Sequence, residues 1–553
     1  MRRGHLALVS ALLLATQAVA APVLPAASDP GAIQQRQMDE ERRRQEAERQ
    51  QRKPVAEPLR RDVAEPPVGQ PGPEVVRFHV REIRFTKSEI LSSEELEAVA
   101  RDFRGRDLGL ADLQQLAARI NELYRRKGVV TAQAVVPPQD VSTGSVLVRL
   151  VEGRMGKVRI DGNDSTNERY VTDRLGLQPE DLVDLVRLEA ALVRFNRTND
   201  SQLKVELIPG ERFATTDLRV LMTEPPRHDF RATLDNQGSM ATGRERVGVS
   251  YLNRSLVGFR DDLGLSATHA TGQDSHSITY GFPVNIWGGR FNLGYYSDDI
   301  AIRSGPLASL RITGKSTASV LSLRQPVLVE PAAQIDVVAG GKQRSVSNWI
   351  DKVFLQRTDT TDENLGIEAQ LFGSDSTWFA SLVRSVGNYR VGLQSGRFTI
   401  DRGSIRHQHS LGEGLTFRGS VAWQSTHQVL LPSSEQFFIG GEGSVRGYPV
   451  GAFSGDTGQV LNLELHHPLA TAADTGGIVA TGFFFLDHGQ VQPFRPPNSK
   501  LHGYDSLTGL GWGIQATLGK GAYARVTFAY GPDRTPVQDR NYETTFQLVF
   551  SPF

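Results

Sequence analysis

The chain has no cysteine among its 553 residues, so disulfides and thiolate chemistry are excluded. That absence is compatible with an oxidising compartment without requiring one. Lys and Arg number 62 and Asp and Glu 62, and a formal charge of zero makes no global electrostatic case for nucleic acid. Beyond the N-terminal leader no stretch holds eighteen consecutive apolar residues, which excludes helical membrane spans. Catalytic and cofactor signatures are scarce too. Gly314-Lys315-Ser316 has the form of a phosphate-loop end, but Ser309 stands where the first glycine belongs, so a strand or turn is predicted there. His466-His467 has no Glu-x-x partner pattern for zinc, and a strand would put the two on opposite faces. No Gly-x-Ser-x-Gly elbow occurs. No enzyme, cofactor or metal site is expected, although a Ser, His and Asp assembled only by folding would leave no such trace.

Glycine and proline are plentiful, at 54 and 28, and suggest many turns and thinly packed strands. Arg2 and Arg3, the apolar run Leu6 to Leu14 and the small residues Ala18-Val19-Ala20 predict a secretory signal peptide over 1–20. An exported chain without a helical anchor is either soluble or a barrel. Ile33 to Lys53, with Arg42, Arg43 and Arg44 at its centre, is free of Gly and Pro and predicts a helix about 30 Å long. It has almost no apolar face, so on its own terms it is either a solvated helix or one that sits in a water-filled pore. Six prolines between Pro54 and Pro73 predict an extended, semi-rigid tether over 54–75.

Residues 76–152 read as a compact α+β unit. Val76 to Phe85 suits a strand, and Ser92-Ser93-Glu94-Glu95 offers a capping box. Leu113, Leu116, Ile120 and Leu123 recur at helical spacing, and Val129 to Val136 and Val146 to Val151 suit two more strands. The same order of strand, helix, helix, strand, strand returns over 153–225. From about Pro226 short alternating segments take over. Leu365, Ile367, Ala369 and Leu371 alternate with Gly366, Glu368 and Gln370; Leu461, Leu463 and Leu465 alternate with Asn462 and Glu464. A soluble sandwich also alternates but must fill its inner face with large side chains, whereas here the polar face is small and hydrophilic. Lipid outside and water inside satisfy that pattern in a closed sheet. Tyr295, Tyr296, Trp512 and Tyr530 are placed near strand ends, as aromatic girdles.

Two short stretches stand out within 226–553. Gly440 to Tyr448 sets Val445, Arg446, Gly447 and Tyr448 among glycines, and Phe485-Leu486-Asp487-His488-Gly489 puts one acid on an apolar strand. Taken alone, an Arg-Gly-Tyr tripeptide is a solvated turn and an Asp at a strand end is a cap. Together they resemble the outer-membrane transporters of two-partner secretion, relatives of the barrel-assembly translocases. That family carries Val-Arg-Gly-Tyr/Phe on a loop folded into a barrel and Phe-x-Asp on the inner wall.

The resemblance implies a mainly β chain: a sixteen-stranded transmembrane barrel, two POTRA domains before it, and a plug helix. It implies a pore-loop motif at Val445, Arg446, Gly447 and Tyr448 within a loop of about 432–458. Phe485, Asp487 and Gly489 would be its inner-wall partners, Arg42, Arg43 and Arg44 part of the plug, and Phe553 an assembly signal. The implied partners are a secreted exoprotein with an N-terminal secretion domain, outer-membrane lipid and the barrel-assembly machinery, with no nucleic acid. The implied work is nucleotide-free secretion across the outer membrane with the POTRA domains in the periplasm. Insertion of other barrels, or hydrolysis by a barrel enzyme, are the competing expectations.

Overall fold

The alternation decides the architecture. On the computed structural model the residues described are 28–50, 59–60, 77–127, 129, 131–178, 181–212, 215–427, 430–471, 477–493, 504–519, 521–535 and 540–551. The signal peptide, most of the proline-rich segment and Phe553 lie outside them.

A helix over Pro30–Gln50 comes first, starting three residues earlier than the sequence predicts; residues 51–53 of the expected helix lie outside those described. Pro30 explains the start, because a proline at the first helical turn gives up an N–H that has no partner there anyway. Within the segment read as a bare tether, β1 (Leu59–Arg60) is paired in parallel with Val205 and Glu206. Periodicity could not reveal a two-residue strand.

The first α+β unit holds β2 (Phe78–Val80), β3 (Glu82–Phe85), a helix Ser93–Ala100, β4 (Arg106–Leu108), a helix Leu110–Arg126, β5 (Gln133–Val135) and β6 (Ser145–Val151). The single strand expected over Val76 to Phe85 is two, since β2 pairs with β4 and β3 with β6. Ser92 does cap its helix, with Glu95 reaching back to the Ser92 amide. The second unit holds β7 (Arg154–Asp161), helices Glu168–Leu175 and Leu185–Thr198, β8 (Gln202–Pro209) and β9 (Thr215–Thr223). Its sheet runs β1-β8-β9-β7. Each unit has its own apolar core, around Leu116, Ile120 and Tyr124 in the first and Leu192, Phe195 and Val220 in the second.

Sixteen strands then close into a barrel. They begin with β10 (His228–Asp235), β11 (Arg246–Arg254), β12 (Asp262–Ala270), β13 (Gln273–Pro283) and β14 (Arg290–Ala301). Five long ones follow: β15 (Ile312–Val329), β16 (Ala333–Ile350), β17 (Val353–Phe372), β18 (Ser376–Val391) and β19 (Gln394–Gly412). After β20 (Leu415–Thr426), the short pair β21 (Phe437–Ile439) and β22 (Phe453–Gly455) stands apart from the wall. The wall resumes with β23 (Thr457–Ala470), β24 (Ile478–Gln492), β25 (Asp505–Leu518), β26 (Ala522–Tyr530) and β27 (Tyr542–Phe550).

Antiparallel pairing all round leaves no sheet edge in hydrocarbon. The apolar face points outward: Leu365, Ile367 and Phe484 are exposed, while Asp362, Glu368 and Asp487 are buried inside. Gly314-Lys315-Ser316 lies within β15. The girdle expectation fails at three positions. Tyr295 and Tyr296 lie mid-strand in β14, Tyr296 on the face opposite to the exposed Tyr295, and Trp512 lies mid-strand in β25, stacked on Phe528 at 4.6 Å.

Candidate functional site in the barrel lumen

Between β20 and β23 the chain turns back into the barrel, and Arg446 sits at its tip. The Arg446 guanidinium donates from Nε to Asp487 Oδ2 and from Nη2 to Asp487 Oδ1, both at 2.7 Å. Its backbone N–H adds a third bond to Asp487 Oδ2 at 3.1 Å. The remaining nitrogen, Nη1, meets Glu464 Oε1 at 2.5 Å. Such fork-on-carboxylate geometry is specific to arginine. The Asp487 side chain is fully buried and that of Arg446 4% exposed, so water does not screen the pair.

Packing holds the fork in place. Asp487 faces inward on β24, which also turns Phe485 and Phe483 inward and sends Phe484 to lipid. The Arg446 guanidinium lies 3.6 Å over the Phe485 ring, and Arg525 4.4 Å over Phe483. Neighbouring β25 makes room: a Cβ on Gly511 would come within 2.7 Å of Phe485, and one on Gly513 within 2.3 Å of Phe483. Val445 and Tyr448 are fully buried with Ile439, Val491 and Leu507, and a Cβ on Gly489 would meet Val445 at 2.7 Å. The Tyr448 hydroxyl bridges Thr508 O and Asp533 Oδ2, at 2.7 and 2.8 Å. Gly447 has φ +93 with Tyr530 and Gly531 backbone against it, a combination that strains any other residue.

Several luminal partners were not singled out beforehand. Glu464 accepts from Arg446 and from His466 Nε2, at 2.7 Å in the second case. Asn462 Nδ2 donates to Asp487 Oδ1 and to Ser444 O. Glu442 on the loop accepts from Thr527 and Thr545. The signal existed, since Asn462 and Glu464 occupy the polar face of the segment with alternating leucines.

A second polar cluster joins the N-terminal helix, the wall and the base of the same loop. Gln34 Nε2 donates to Asp298 Oδ2 at 2.8 Å, and Gln34 Oε1 accepts from Ser316 Oγ and Arg344 Nε. Arg344 Nη2 donates to Gln35 Oε1 at 2.7 Å. Arg344 is completely buried, and so is Glu435 on the loop, which accepts from Arg344 and Lys342 at 3.3 and 2.8 Å. Burial alone would raise the Glu435 carboxyl, but Lys342, Arg344 and Arg402 hold it below the ordinary carboxylate range. Arg42, Arg43 and Arg44 are exposed along the helix; Arg43 donates to the Gly443 carbonyl at 2.9 Å. The most buried anchorage is instead at Gln34 and Gln35, on the first turns of the helix.

Known proteins resemble this chain in sequence and in fold. Residues 215–516 match the family described as haemolysin secretion/activation protein ShlB/FhaC/HecB, and residues 78–153 match the POTRA domain, ShlB-type. The outer membrane transporter CdiB of Dickeya dadantii (strain 3937) is 27% identical over 463 residues, covering 78% of this chain and 79% of its own. The heme/hemopexin transporter protein HuxB of Haemophilus influenzae (strain ATCC 51907 / DSM 11121 / KW20 / Rd) is 21% identical over 434 residues, covering 75% and 76%. The solved structure of CdiB from Escherichia coli superposes with a TM-score of 0.66 at 19% identity, covering 96% of this chain and all of that one. The barrel therefore lies in the outer membrane with its POTRA region in the periplasm, and the chain belongs to the ShlB/FhaC/HecB family of two-partner secretion transporters.

Proposed function

We propose that this chain secretes an exoprotein partner as an unfolded chain through its barrel, with the Pro30–Gln50 helix as a removable stopper. The observation that carries this reading is the chemistry of the helix seat. Apart from the buried Ala32 and Ile33, the helix is polar and is held in the lumen by amide and ion contacts rather than by an apolar core. Withdrawing it therefore exposes no large apolar surface, and water can take over its bonds.

The two periplasmic units offer sheet edges to which an extended client adds by main-chain hydrogen bonds, tolerating varied sequence. The parallel pairing of β1 on β8 supports edge pairing of this kind. Arg446 and Asp487 latch the loop to the wall while the helix comes and goes. No nucleotide is consumed; folding of the client outside makes transport one-way.

Deleting residues 28–50 tests the stopper. Single-channel conductance in planar bilayers should rise severalfold, and an unchanged conductance would sink the idea.

A second reading, insertion of other barrels, is favoured by the β10–β27 seam, where four residue pairs from Ala232↔Phe550 to Asp235↔Gln547 close the wall. A seam so short could open sideways. A covalent cross-link between β10 and β27 separates the two, since it would stop insertion and leave secretion through the lumen intact.

A further inference from the structure

Strands β15 to β19 run from 16 to 20 residues, well beyond the roughly 9–11 that a tilted strand needs to cross hydrocarbon. The surplus lies on the extracellular side. Along β17, the exposed outward residues Leu371, Ile367 and Leu365 give way to Glu363, Thr361, Asp359 and Arg357 toward the extracellular hairpin. On β18, Leu382 gives way to Arg384, Val386, Asn388 and Arg390. One side of the barrel thus rises above the apolar band as a polar parapet.

On the outside of that parapet lies a cleft of about 610 Å³, lined by Gln343, Arg357, Asp359, Asn388, Arg390 and Arg397 among others. The ladder sets Asp359 opposite Arg390 and Asn388 opposite Arg397, which gathers three guanidiniums around one carboxylate. Asp359 Oδ1 accepts from Arg357 Nε at 2.9 Å. Among the described residues, Arg390 and Arg397 have no acid partner. Three like charges on one sheet face repel one another, and nothing in the fold requires them there. An anion with several oxygens would turn that repulsion into attraction, and the arginine fork matches phosphate with two parallel bonds.

Height selects the source of the phosphate. Arg390 stands six residues beyond Arg384, whose ion pair with Asp401 closes the apolar band on this face. With about 3.3 Å per residue and a strand tilt of about 40°, that is roughly 15 Å above the apolar edge, the level of a glycolipid's phosphorylated sugars rather than of a phospholipid headgroup. We propose that Arg357, Arg390 and Arg397 bind the phosphorylated headgroup of an outer-leaflet glycolipid, tying the long-hairpin side of the barrel to the membrane surface. Asn388 and Gln343 supply donors and acceptors for its sugar hydroxyls.

The test uses the full chain in detergent, titrated with rough lipopolysaccharide that carries phosphorylated inner-core sugars, with the same lipid after phosphatase treatment, and with phosphatidylglycerol, and read by native mass spectrometry. Retention should follow the phosphorylated glycolipid, with at least tenfold weaker binding of the other two. Replacing both Arg390 and Arg397 by Ser should weaken it roughly 25-fold, at about fivefold per arginine removed beside an anionic surface. Equal binding of the dephosphorylated lipid overturns the proposal, as does equal binding of phosphatidylglycerol, which would mark a non-selective anionic surface. A folded double variant that binds like the parent also overturns it. Should that variant not fold, the comparison of lipids on the parent chain decides alone.

Discussion

Two buried arginines in one lumen are held in opposite ways. Arg446 comes from the loop and meets two wall carboxylates, Asp487 and Glu464, while apolar neighbours seal it. Arg344 comes from the wall; its acid, Glu435, is on the loop, and the N-terminal helix reaches it through uncharged groups, the amides of Gln34 and Gln35 and the Met38 sulfur. If the helix leaves, Arg344 keeps Glu435. If the loop tip leaves, Asp487 loses its guanidinium inside the barrel, and Glu464 is left with Arg525 and His466 alone. The difference separates a part that can be withdrawn from one that cannot, because orphaning a buried charge costs far more than exchanging a neutral hydrogen bond for water.

The largest expected effect tests the permanent side. Arg446→Ala should destabilise the loop-to-wall attachment by about 3–5 kcal/mol, the cost of breaking a buried pair. The measurement is the urea midpoint at which the barrel loses its heat-modifiable mobility on gels. Asp487→Ala should cost less, since Glu464 still meets the guanidinium. Equal losses in the two variants would remove Glu464 from the account.

A charge reversal sharpens the same point. Arg446→Asp with Asp487→Arg rescues a simple pair, but here the carboxylate introduced on the loop would face Glu464 across the space now spanned by an ion pair. Rescue by the double reversal should therefore be partial, and adding Glu464→Gln should improve it. Urea midpoints of the three variants rank them directly.

On the removable side the effects are smaller. Gln34→Ala with Gln35→Ala deletes neutral bonds worth about 0.5–1.5 kcal/mol each. The expected result is a roughly tenfold rise in the open fraction of single-channel recordings, with the urea midpoint unchanged. A fallen midpoint would mean that the helix is part of the permanent structure.

The mildest perturbation is pH. The Glu435 carboxyl is held below its ordinary value of 4.5, so its contribution is fully present above that value and is lost as pH falls through the lowered one. Glu435's share of the loop-to-wall attachment, read as the urea midpoint, should be constant from pH 7 to about 5 and weaken only on further acidification. A midpoint that falls near neutrality would point to another group.

How much of this was legible beforehand differs from part to part. The barrel was, because a strand with lipid on one face and water on the other must alternate. Leu365, Ile367 and Leu371 showed it without any neighbour being known. Arg446 and Asp487 were conspicuous as single charges in a glycine-rich loop and an apolar strand. Glu464 was not, because an inward acid on a water-lined strand is ordinary until a guanidinium lands on it. Gln34 and Gln35 were less visible still, since in a helix of Gln, Arg and Glu only the run of Arg42, Arg43 and Arg44 stands out. The pairing of Leu59 and Arg60 with β8 depends on an edge more than a hundred residues away in sequence.

Local chemistry thus sufficed for the periodic elements and for the sign of each charge, because side-chain polarity and the two-residue strand period act over a few positions. Which charges meet, and whether water reaches them, was decided only when the sheet closed. A closed wall brings β14, β16, β24 and a returning loop around one cavity, and the energy of an ion pair depends on that burial rather than on either residue alone.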